Sequence, residues 1–152
     1  MRLFYGLSAT KQPLLPCALT IGNFDGVHLG HQGVLTHLRK EADARQLTVT
    51  VIVFEPQPRE FFGLGEARLY ALRSKLVAFA QFGVDTVVCL PFNAALAKTS
   101  AEVFAKRYFF ETLSARYLLV GEDFCFGSGR SGTVLQLADW SKQRGVELAI
   151  MP

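Results

Sequence analysis

Apolar and polar positions come in alternating blocks along this chain. Five short runs dense in Val, Leu and Ile read as strands: Cys17–Ile21, Thr48–Phe54, Thr86–Leu90, Tyr117–Gly121 and Glu147–Ile150. Between them, Gln32–Arg45, Ala71–Phe82, Ser100–Leu113 and Thr133–Arg144 carry apolar residues at helical spacing. Gly83 follows the second helix and Gly145 the fourth, where a left-handed cap is expected. Thr99-Ser100-Ala101-Glu102 has capping-box spacing ahead of the third. Strands this apolar, spaced by helices, predict a parallel sheet covered on both faces. Right-handed crossovers then favour a doubly wound α/β architecture with a five-stranded parallel sheet. No repeat, low-complexity tract or linker interrupts residues 1–152, so one domain is expected.

The irregular stretch is Glu55 to Leu69, rich in Pro, Gly and aromatics. Loops of that length inside compact domains are usually functional or mobile. Pro56 and Pro58 stiffen its base. Phe61 and Phe62 suit either a flap over a flat aromatic ligand or a loop that tucks its own rings onto the domain surface.

Composition narrows the classes. Half of the 152 residues are hydrophobic and 13 are Phe, which is incompatible with disorder and sufficient for a sizeable core. No apolar run approaches the roughly 18–20 residues that span a bilayer, and Met1–Tyr5 lacks the layout of a signal peptide. Cys17, Cys89 and Cys125 are widely spaced, with no CxxC pair; their odd number fits a reducing cytoplasm. The net charge of +3 is mild and scattered, without the basic stripe of a nucleic-acid surface. Small anionic ligands suit it better.

The candidate chemistry lies where the first strand gives way to the first helix, at Gly22-Asn23-Phe24-Asp25-Gly26-Val27-His28-Leu29-Gly30-His31. In an open α/β sheet, ligands bind beyond the carboxyl ends of strands. A helix start there offers backbone N–H donors and a partial positive charge to an anion. His28 and His31 are three apart and share a face if the first helical turn holds both. Asn23 and the Gly22 and Phe24 backbone would line the phosphate side of the turn, loosened by Gly26 and Gly30. Asp25 fits a turn residue bonding its own backbone as well as a ligand contact, and Phe24 fits simple burial. Farther on, Gly127-Ser128-Gly129-Arg130-Ser131-Gly132 is a literal GxGxxG. It follows the fourth strand at a distance, and no acidic residue ends the next strand, so a dinucleotide-binding oxidoreductase is disfavoured. The better reading is a phosphate-approaching loop in which Arg130 pairs an anion bidentately. No Walker lysine motif or nucleophile elbow is present.

These residues carry a resemblance. Gly22–His31 resembles the signature of the HxGH nucleotidyltransferase superfamily in its flavin branch, the adenylyltransferase module of bacterial bifunctional riboflavin kinase/FAD synthetase. Phe54-Glu55-Pro56-Gln57-Pro58 and Val120-Gly121-Glu122-Asp123-Phe124-Cys125-Phe126-Gly127, followed by Gly129-Arg130, match the same branch. The resemblance implies a Rossmann-like sheet of strand order 3-2-1-4-5. It implies transfer of AMP from ATP to FMN, giving FAD and pyrophosphate, with His28 and His31 catalytic. It also places Pro56, Pro58 and Asp123 around the substrates. Mg²⁺ would be held mainly by ATP phosphates, since no cluster of protein ligands is visible. The family's Ser-Ser-Thr and Arg motif and its C-terminal riboflavin kinase barrel, the family's partner domain, do not occur before Pro152. Kinase activity is therefore not expected of this chain, and its FAD formation is expected to fall below that of a chain extended through the motif. A sister nucleotidyltransferase acting on another phosphate monoester, or a non-catalytic nucleotide- or flavin-binding module, are the alternatives.

Overall fold

The computed structural model describes residues 1–6, 15–24, 29–54, 66–91 and 93–152. In chain order the elements are β1 (Arg2–Tyr5), β2 (Cys17–Ile21), α1 (Leu29–Ala44), β3 (Thr48–Phe54), α2 (Glu66–Gln81) and β4 (Thr86–Leu90). There follow α3 (Ala94–Ala97), α4 (Ala101–Phe104), which continues as a π-helical segment over Ala105–Thr112, and β5 (Ala115–Gly121). A 3₁₀ turn at Ser128–Arg130, α5 (Val134–Gln143) and β6 (Glu147–Met151) complete them.

The strands form one six-stranded sheet of order β1-β4-β3-β2-β5-β6, and every pairing is parallel. Counted from Cys17–Ile21, the five expected strands run 3-2-1-4-5. The sixth is an addition: β1 lies on the outer edge of β4, with Arg2 opposite Thr86 and Tyr5 opposite Cys89. It is short, begins with an arginine and is half exposed, so it carries none of the apolar density by which the inner strands announce themselves.

Alternation along each strand separates two cores. Val49, Val51 and Val53 point to the face covered by Leu35, Leu38 and Ala42 of α1 and Phe79 of α2. Ile52, with Cys17, Leu19 and Ile21, points to the face covered by Phe104, Phe109 and Leu137. From β2 the chain winds one way through β3 and β4 under α1 and α2. It then returns to the other side of β2 through β5 and β6, under α4 and α5. The order therefore reverses between β2 and β5, and a crevice opens outside the carboxyl ends of adjacent strands at such a switch point.

Local chemistry sets the element ends. Gly83 (φ 80°) and Gly145 (φ 68°) take the left-handed conformation expected of them. The third helix is capped one residue later than its sequence suggested. The Ser100 hydroxyl accepts from the Val103 N–H at 3.2 Å, while Thr99 donates its hydroxyl to the Ala95 carbonyl at 2.9 Å and closes α3. A full capping box forms instead at Thr133 and Gln136. α3, which the apolar pattern did not predict, is a single turn capped by Asn93. The second helix starts at Glu66 rather than Ala71, so the irregular stretch is shorter than Glu55–Leu69. Glu66-Ala67-Arg68-Leu69 are all good helix formers, and the aromatics and prolines before them drew the boundary too late. The expected helix over Ser100–Leu113 is α-helical only at its start. The π segment, with its i to i+5 bonding, brings Phe104 and Phe109 edge to face at 5.4 Å inside the core.

Candidate active site

Beyond the carboxyl ends of β2, β3 and β5 lies a cavity of about 740 Å³, lined by Gly22, Asn23, Phe54, Asp123, Phe124 and Arg130 among others. It sits at the switch point. Its floor and one wall are aromatic: Phe124 and Phe126 lie parallel with centroids 5.1 Å apart. Phe126 is backed edge to face by Trp140 at 6.3 Å and approaches Phe104 at 6.0 Å. An aromatic lining of this kind suits a planar heterocycle. Asp123 and Arg130, both exposed, bring one carboxylate and one guanidinium to its rim.

The opposite side of the cavity is the turn after β2. The Gly22 N–H donates to the Ile52 carbonyl at 3.1 Å, continuing the ladder one residue past the strand. A Cβ on Gly22 would meet the Phe24 ring at 3.2 Å, a contact that favours glycine there. Asn23 is exposed and Phe24 is 4 % exposed, with a left-handed backbone (φ 54°). The Phe24 ring packs on Phe79 at 5.4 Å and on the His31 ring at 5.0 Å. Only the Phe24 backbone is therefore left to face a ligand. Gly30 and the half-buried His31 belong to the first turn of α1.

Of the residues singled out in the sequence, the cavity brings together Gly22, Asn23, Asp123 and Arg130. His31 is not among the lining residues; its ring contacts that of Phe24, the residue after Asn23. Asp25, Gly26, His28, Pro56 and Pro58 lie outside the described residues, as do Phe61 and Phe62. Among the described residues, no three His, Cys, Asp or Glu side chains converge as a metal site.

The glycine-rich loop has a packing role. Gly127 (φ 78°) lies against the first turn of α4, where a Cβ would stand 2.5 Å from the Ala101 Cα. A Cβ on Gly132 would stand 2.6 Å from the Ala101 Cβ. Phe126 and Gly132 close the loop by exchanging backbone hydrogen bonds of 3.3 and 2.8 Å. Gly129 has open space, and Arg130 holds a left-handed conformation (φ 55°) at the tip. Two of the three motif glycines thus answer to the protein's own backbone.

Two features escaped the sequence reading. The aromatic wall was one, because phenylalanines near strand ends look like ordinary core. Lys75 of α2 was the other: it is 8 % exposed and donates its Nζ to the Asn23 carbonyl at 2.8 Å. Its signal was present in the spacing Leu72, Lys75, Leu76, Phe79, where a lysine interrupts an apolar stripe.

A parallel sheet wound on both faces, with its ligand cavity at the switch point, defines a nucleotide-binding type of α/β domain. Residues 10–152 match the family described as FAD synthetase, and the chain belongs to that family. It is 45 % identical over 148 residues to the bifunctional riboflavin kinase/FMN adenylyltransferase of Haemophilus influenzae, covering 95 % of this chain and 48 % of that one. The protein of the same name from Escherichia coli K12 is 42 % identical over 151 residues, covering 97 % and 48 %. That from Pseudomonas fluorescens is 44 % identical over 134 residues, covering 87 % and 43 %. The chain thus spans about half the length of these curated relatives. A crystal structure described as a macrolide-efflux protein from Streptococcus pneumoniae superposes with a TM-score of 0.77. It covers all of this chain and 50 % of that one, and at 22 % identity the likeness shows the fold alone.

Proposed function

We propose that this domain is an FMN adenylyltransferase, converting ATP and FMN to FAD and pyrophosphate. An FMN phosphate oxygen attacks the α-phosphorus of ATP. A new P–O bond forms in line as the bond to the bridging oxygen breaks, and pyrophosphate leaves with that oxygen. No covalent enzyme intermediate is required; positioning and charge stabilisation carry the reaction. The observation that supports this reading best is the cavity itself. It is lined by the Phe54, Phe104, Phe124 and Phe126 rings together with the Gly22–Asn23 turn at the switch point, in a chain of the FAD synthetase family.

In this reading His28 and His31 donate to the phosphate oxygens beside the first N–H groups of α1, which favour negative charge. Gly22, Asn23, the Phe24 backbone, Asp25, Gly26 and Gly30 form the phosphate-side turn. Asp123 accepts from a ligand N–H or O–H, Arg130 pairs a phosphate, and Pro56 and Pro58 border the substrates. Mg²⁺, held mainly by the ATP phosphates, would neutralise part of their charge. The cytoplasm, where ATP and FMN are made, is the expected compartment. A riboflavin kinase domain is the expected covalent neighbour, as in the names of the curated relatives.

The test is direct. The protein is incubated with ATP, Mg²⁺ and FMN, and the flavins are separated by chromatography. FAD formation supports the reading. Turnover with a different phosphate monoester but not FMN favours a sister nucleotidyltransferase, and tight binding of ATP and FMN without product favours a binding module.

A further inference from the structure

Among the described residues, Lys75 is the one buried side chain that carries a charge. Taking an ammonium out of water is costly unless hydrogen bonds compensate, and a methionine would fill the same stripe of α2 at no such cost. One of the atoms it reaches is informative. The Asn23 carbonyl, 2.8 Å from the Lys75 Nζ, belongs to the residue just before Phe24. Phe24 is held at φ 54°, where a non-glycine residue is uncommon. Its ring then packs on Phe79, one turn beyond Lys75 on the same helix, and on His31. A continuous line of contacts runs from the Lys75 ammonium through the Asn23 carbonyl and the Phe24 ring to the His31 imidazole. Strained backbone persists only where its surroundings over-determine it, and such places cluster at functional sites.

We propose that Lys75 is a positioning residue for adenylyl transfer: by holding the Asn23 carbonyl it locks the Phe24 turn, and thereby fixes the His31 ring in the first turn of α1. The proposal rests on the adenylyl-transfer reading above. It predicts an effect on turnover rather than on substrate affinity, because the ammonium acts through the turn.

Lys75→Met and Lys75→Arg are compared with the unmodified protein by FAD formation, thermal melting and NMR of the His31 ring. Lys75→Met is expected to melt cooperatively, to lose about tenfold or more in kcat, and to keep KM for ATP and FMN within about threefold. The His31 ring resonances shift as the Phe24 ring moves. Lys75→Arg, which retains a cationic donor, recovers part of the kcat and returns the His31 resonances toward their original positions. If Lys75→Met does not fold, Lys75→Gln carries the same comparison with a neutral polar side chain. A folded neutral variant with unchanged kcat and unchanged His31 resonances overturns the proposal. So does a loss of kcat that merely follows the unfolded fraction. An unmodified protein that forms no FAD overturns the adenylyl-transfer reading and this role with it. One that forms FAD beside an unaffected neutral variant overturns the role of Lys75 alone.

Discussion

The two ends of the sheet are built on different principles. At the amino-terminal end of the strands, charges pair with one another. The Arg39 guanidinium donates to Asp43 at 2.6 Å, Asp85 at 2.9 Å and the Gly83 carbonyl at 2.9 Å. Burial alone would lower its pKa, but those carboxylates raise it. Arg45 is bidentate on Glu147 at 2.7 and 3.1 Å, reaches Glu41 at 2.5 Å, and lies over the Tyr117 ring at 4.4 Å. At the carboxyl end the charged groups Asp123 and Arg130 line an open cavity. One end ties α1 to the strands beside it. The other leaves Asp123 and Arg130 lining a cavity. That division is what a site at a switch point requires, since groups already satisfied by one another have nothing left to offer a ligand.

The sharpest way to break this contrast is His31→Ala. It is expected to cut FAD formation at saturating substrates about a hundredfold or more, the usual loss when one transition-state donor is removed, with the thermal midpoint little changed. His28→Ala is expected to behave alike. Near-normal turnover in both would remove the phosphate-binding role from the helix start.

A second substitution tests whether the carboxyl end is wholly given over to ligand. Gly127 lines the cavity, yet the contact with Ala101 makes it architectural. Gly127→Ala combines a left-handed backbone with a backbone overlap and is expected to cost about 2–3 kcal/mol of stability. A chemical denaturation curve indistinguishable from that of the unmodified protein would show that the loop can retreat from α4.

How much of this was legible from residues alone follows the same contrast. The inner strands were readable because burial on both faces demands continuous apolar runs, and Gly83 and Gly145 marked turns that need a positive φ; their order came only from the family resemblance, because hydropathy does not say which strands pair. The segments that form the cavity were readable because Gly22–Asn23 and Asp123–Gly127 are glycine-punctuated ends of such strands. β1 was missed because an edge strand needs only half the apolar density, and the π turn because Phe104 and Phe109 are spaced by five, which fits no standard template. Lys75 drew no reading within the predicted helix Ala71–Phe82. A charge buried by a distant turn is a property of the tertiary fold, and only its break in the apolar stripe betrays it.

At the amino-terminal end the effects should be smaller and should leave chemistry alone. The Asp85 carboxylate accepts from Arg39 at 2.9 Å and from the Val49 N–H at 2.8 Å, joining α1, β3 and the start of β4. Asp85→Ala removes both bonds and is expected to cost about 1–2 kcal/mol, with KM and kcat for FAD formation unchanged. A change in either constant would mean that the two ends are coupled through α1.

The smallest effect belongs to Arg45. Hydrogen bonds from its guanidinium hold the Glu41 and Glu147 carboxyls below the usual glutamate range, while burial and the nearby Glu41 charge push the Tyr117 hydroxyl up. For a carboxyl whose folded pKa is depressed, the contribution to stability is fully present above the unfolded value, roughly pH 4.3. It is lost as pH falls through the folded value. Glu147 is largely exposed, and an ion pair with an exposed partner contributes little. Glu147→Gln is therefore expected to lower the melting midpoint by only about 1–2 °C at pH 7. The gap from the unmodified protein should narrow as both are taken below pH 4, because protonation removes from the native glutamate what the substitution has already removed. Added salt should narrow it at neutral pH as well. A gap that stays constant from pH 7 to pH 3 would show that Glu147 acts by seating the Arg45 guanidinium over the Tyr117 ring and not by its own charge, and the amino-terminal end would then owe its rigidity to shape, as the aromatic lining of the cavity does.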